Sequence, residues 1–62
     1  MPSNMEIRTT QKAVLFDLLA LKKDNVEAGV YVQGLDKLIV KMEATMEAED
    51  VAWVEKKIGE LK

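Results

Sequence analysis

The side chains able to do chemistry in this chain are carboxylates, amines, a few hydroxyls, one phenol and one guanidinium, because its 62 residues include neither histidine nor cysteine. Imidazole acid–base catalysis, thiol nucleophiles, disulfides and thiolate or imidazole metal sites are therefore all excluded. The densest acidic group is Glu43, Glu47, Glu49 and Asp50. Such a group could draw a hard cation such as Mg²⁺ or Ca²⁺, but it lacks the alternating oxygen ligands of an EF-hand loop, and acids are expected wherever a helix starts. We assign no catalytic residue, no metal and no cofactor, and read the chain as a non-enzyme. Arg8 with Lys12, and Lys37 with Lys41, are basic pairs at i, i+4 that two copies could align against phosphates. The net charge of -2, the lone arginine and the scatter of the lysines oppose that reading, since an acidic surface repels a phosphate backbone.

The large apolar residues that fall off the main helical stripes are the better candidates for contact with a partner. Phe16 sits well round the side of the first helical segment, and Trp53 lies about 120° from the centre of the last apolar stripe at 100° per residue. Trp53 has Lys56 and Lys57 beside it. Aromatic anchors dominate many interface energies, so Phe16, Trp53, Lys56 and Lys57 form the candidate partner-binding set. The plainer alternative is that the two rings pack on each other or on lysine stems at the bundle edge.

Three helical segments must position these residues. The first starts at Ser3, whose pairing with Glu6 matches a capping box, or at Thr9, and runs to Lys23. Ile7, Val14, Leu15, Leu18 and Leu21 share its face, an arc wider than one neighbouring helix covers, so two neighbours are expected. Asp24 with Glu27 then reads as a second cap, which makes the first two helices an antiparallel hairpin. From Ala28 to Met46 the apolar residues keep the a, d and e positions of a heptad, broken only at Thr45. This phase predicts one continuous helix through Gly29 and Gly34, so an alanine at an exposed glycine would stabilise it by about 0.5–1 kcal/mol. The third helix follows Met46 or Glu47, with acids early, lysines late and an inward stripe of Val51, Val54, Ile58 and Leu61.

The expected fold is all-α, an antiparallel helical hairpin plus a third C-terminal helix in a single small domain spanning residues 1–62. A chain of this length buries only about 60% of its unfolded surface, and with disulfides and thiolate or imidazole metal sites excluded, association or unusually good helix packing is the remaining support. A homo-oligomer, with a dimer favoured, is therefore expected. Arg8 and Lys12 before the apolar run Ala13 to Leu21 faintly resemble a signal peptide, but Asp17 interrupts a run far short of the ~20 residues that span a bilayer. The expectation is a cytoplasmic protein with no membrane contact. Its function is expected to be a protein–protein interaction module, a small regulator, adaptor or inhibitor presenting a helical surface. The alternative is a dimeric helical nucleic-acid-binding regulator.

Overall fold

The computed structural model of the chain describes residues 4–61 and contains three helices: α1 is Asn4–Glu27, α2 is Leu35–Ala44 and α3 is Ala48–Gly59. Among the described residues there is no strand, and no helix is long and apolar enough to cross a membrane. Ser3 lies outside the described residues. Thr9, the other candidate start, sits inside α1, where its hydroxyl donates to the Met5 carbonyl at 2.8 Å.

Polar contacts give the helix directions. Lys22 pairs with Asp36 at 2.9 Å, and the Gln11 amide donates to the Thr45 carbonyl at 3.4 Å, so α2 runs antiparallel to α1. Arg8 meets Asp50 near one end of α1, and the Lys23 ammonium donates to the Leu61 carbonyl at 2.6 Å near the other, so α3 runs parallel to it. Both shorter helices pack on α1 and meet each other only marginally. α1 therefore does have two neighbours, but not across the expected arc: Leu15 is buried and Leu18 half-buried, Phe16 and Leu19 pack beside them, and Ile7, Val14 and Leu21 stay exposed because the core lies to one side of the arc. Leu15 joins Leu35, Ile39 and Val54 in the buried core, with Leu18, Leu19, Met42, Met46, Val51 and Ile58 half-buried around it.

The segment between α1 and α2 departs from the expected continuous helix. α1 runs through Asp24 and Asn25 to Glu27, four residues beyond the expected end, and then stops in a motif built on Gly29. The Val30 amide donates to the Asn25 carbonyl at 2.8 Å and the Gly29 amide to the Val26 carbonyl at 3.1 Å, with Gly29 at φ 73°. That pair of bonds around a left-handed residue is a Schellman C-cap, which occupies carbonyls the helix end would otherwise leave open. Val30, Tyr31 and Val32 follow as exposed, non-helical backbone, and Gly34 at φ 88° starts α2 by accepting the Leu38 amide on its carbonyl. Ala28, Tyr31 and Val32 thus keep helical phase in sequence without being helical. Leu38, expected inside, is also exposed, which narrows the inward seam of α2 to Leu35, Ile39 and Met42, with Met46 packed on the core just past the helix end.

The expected effect of alanine at these glycines reverses accordingly. A Cβ at Gly34 or Gly29 would meet nothing within 4 Å, so the cost is that of the backbone alone. Gly34→Ala should destabilise the fold by about 1–2 kcal/mol, the strain of a left-handed L-residue, whereas Gly34→Asn should cost less because asparagine tolerates that region. Urea midpoints for the two variants check this. A gain in stability for Gly34→Ala would restore the continuous helix.

Candidate functional site

The groove between α1 and α3 brings together residues that sit far apart in the sequence. Phe16 and Ala13 of α1 and Trp53 of α3 line it, with Thr9, Lys12 and Asp17 at its edges, around a cavity of about 310 Å³. Trp53 is there because α3 turns Val54 inward: the neighbouring residue is then rotated about 100° away, over the flank of α1. It keeps 46% of its surface exposed although it is the only tryptophan in the chain. Two ammonium groups hold the ring in place. Lys12 Nζ lies 4.9 Å and Lys57 Nζ 5.7 Å from the ring centroid, within cation–π range.

Of the sequence-predicted set, Phe16 and Trp53 share the groove, and Lys57 lies over the indole while its ammonium also faces Glu60 at 3.7 Å. Lys56 is exposed on α3 and does not line the groove. The sequence reading missed Lys12, which it placed only in a basic pair with Arg8. No local signal could have linked it to Trp53, since the contact exists only once α1 and α3 lie parallel.

Below the groove, the end of α3 is clasped to α1. Arg8 Nε and Nη2 donate to the two carboxylate oxygens of Asp50 at 2.8 and 2.9 Å, and Nη2 also donates to Glu49. Asp50 is 4% exposed, the one buried charged side chain among the described residues. Hydrogen bonds from Arg8 hold its carboxyl below the usual carboxylate range against the opposing effect of burial, helped by the positive charges of Arg8 and Lys12. The same hydrogen bonds, accepted first by Asp50 and then by Glu49, raise the guanidinium above its ordinary range. Two of the four acids considered for a cation are thereby engaged by Arg8, and no group of three or more possible ligands occurs among the described residues. Arg8 is likewise committed within the fold, which leaves the Arg8–Lys12 pair little capacity for phosphates. No family model matches the chain, nor does any curated protein or solved structure.

Proposed function

We propose that the protein is a non-enzymatic protein–protein interaction module, acting in the cytoplasm as a homodimer and holding an apolar side chain of its partner in the α1/α3 groove. The carrying observation is Trp53: a half-exposed indole, oriented by Lys12 and Lys57, beside an apolar cavity large enough for a side chain. An aromatic ring fixed before binding loses little entropy when a partner covers it, which is the economy of an interface anchor. The rim supports the kind of partner. Lys12 and Lys57 flank the ring and Lys56 is exposed on the same helix, against Asp17 at the groove edge and Glu60, which faces Lys57. Such a surface suits an amphipathic segment that carries acidic residues beside a leucine or an aromatic anchor.

Trp53 itself reports on this reading. Titration with an acidic amphipathic helical peptide should shift its fluorescence to the blue and saturate, while a peptide of the same apolar face with lysines in place of the acids should bind at least tenfold more weakly. By calorimetry, Trp53→Ala should weaken the acidic peptide by about thirtyfold, ~2 kcal/mol, the threshold of a hot spot, with helical content unchanged. Equal binding of the acidic and basic peptides, or none of either, overturns the proposal. Tighter binding of duplex DNA or RNA, weakening steeply with salt, would establish the nucleic-acid alternative instead.

A further inference from the structure

The three lysines near the α1/α3 groove are not equivalent. Lys56 does not line the cavity, and the Lys57 ammonium faces Glu60 at 3.7 Å, so part of its charge is offset within the last turn of its own helix. Lys12 differs from both. It lines the cavity from α1, its Nζ lies 4.9 Å from the Trp53 centroid, and among the described residues no carboxylate stands within ion-pair distance of it. We propose that Lys12 is the residue by which the groove selects an acidic partner, its ammonium taking a carboxylate of the same segment whose apolar side chain enters the cavity. The proposal rests on the groove reading above and adds which group discriminates.

The neighbouring clasp explains why this one cation is left over. Asp50 is an acid that could have taken it, since the positive charge of Lys12 already helps to hold that carboxyl ionised. Both Asp50 oxygens are bonded to Arg8 instead, at 2.8 and 2.9 Å, and Glu49 accepts from the same guanidinium. Arg8 holds the carboxylate because its planar fork meets two oxygens at once, which an ammonium cannot do. Lys12, one turn further along α1, is left with the indole. A ring face attracts a cation without cancelling its charge, so the ammonium keeps both charge and N–H donors for an incoming carboxylate. The same ammonium discriminates by repulsion: a partner that brings a lysine to the edge of the cavity meets like charge there.

A ratio of two affinities tests this, because a residue that merely supports the ring would weaken every ligand alike. Calorimetry with the acidic amphipathic helical peptide and its lysine counterpart should give the wild-type protein a preference of at least about tenfold. In Lys12→Gln the preference should fall to about threefold or less, and in Lys12→Arg it should return, since a guanidinium keeps the charge and stacks on an aromatic face. Lys57→Gln should leave it at the wild-type value, because Glu60 already faces that ammonium. Helical content by circular dichroism should be unchanged in all three, neither lysine being buried. If Lys12→Gln weakens both peptides equally, Lys12 only supports the ring and the proposal is overturned. An equal loss of preference in Lys57→Gln overturns it too, and both results leave the groove standing as a binding site. A wild-type protein that binds neither peptide, or both equally, overturns the groove reading itself.

Discussion

Leu15→Ala should lower the thermal midpoint by about 10 °C or more. Leu15 is fully buried where both shorter helices meet α1, and Leu35, Ile39 and Val54 are the other buried apolar residues among those described. Truncating a buried leucine costs about 2–5 kcal/mol, against a total of roughly 3–9 kcal/mol for a domain of this length. In domains this small each kcal/mol moves the midpoint by about 4–8 °C. The comparison variant is Leu38→Ala. The heptad phase puts Leu38 inside, but the structure exposes it, so its loss should change stability by no more than about 0.5 kcal/mol. Equal midpoints for the two variants would mean that the core is not where the helices place it.

Arg8→Ala should be the most damaging polar substitution, well beyond Lys22→Ala at the exposed pair with Asp36. Removing the guanidinium leaves a carboxylate at 4% exposure without the donors that stabilise its charge, and an unpaired buried charge costs more than the pair contributed. Arg8→Lys should rescue only part of the loss, because an ammonium cannot bridge both carboxylate oxygens. The acid side of the stability curve tests the same contact. Because the folded state holds the Asp50 carboxyl below its usual value of about 3.9, the clasp contributes in full above that pH and its contribution disappears as pH falls through the folded-state value. Thermal melts between pH 5 and pH 2 should therefore show a fall that is shallower in the Asp50→Asn variant. Parallel curves for wild type and variant would show that Asp50 is not the titrating group.

Helix number, order and type were legible because each helix carries enough apolar residues in phase to require a neighbour. α1 does have the two expected neighbours, although Ile7, Val14 and Leu21 of its arc are exposed; the stripe of Val51, Val54 and Ile58 oriented α3, while Leu61, expected to continue it, is exposed because α3 ends at Gly59. The stripe from Ala28 to Met46 misled for a specific reason: periodicity records which residues would share a face if the chain were helical, and the left-handed backbone at Gly29 and Gly34 prevents that. The glycine just past α1 was itself a C-cap signal, outweighed by Asp24 and Glu27 read as a start. At the candidate site, Phe16 and Trp53 were visible as aromatics outside the stripes. The Arg8–Asp50 clasp spans 42 positions and the Lys12–Trp53 contact joins different helices, so neither has a local signature.

Because α2 and α3 both rest on α1 and scarcely on each other, the molecule is built as a spine with two independent leaves. Amide exchange should reflect this: protons in the middle of α1 exchange only through global unfolding, while each leaf lifts on its own at lower free energy. A ligand in the α1/α3 groove would then slow exchange in α3 and leave α2 at its free rate. Slowing in both leaves would reveal cooperativity carried through the spine.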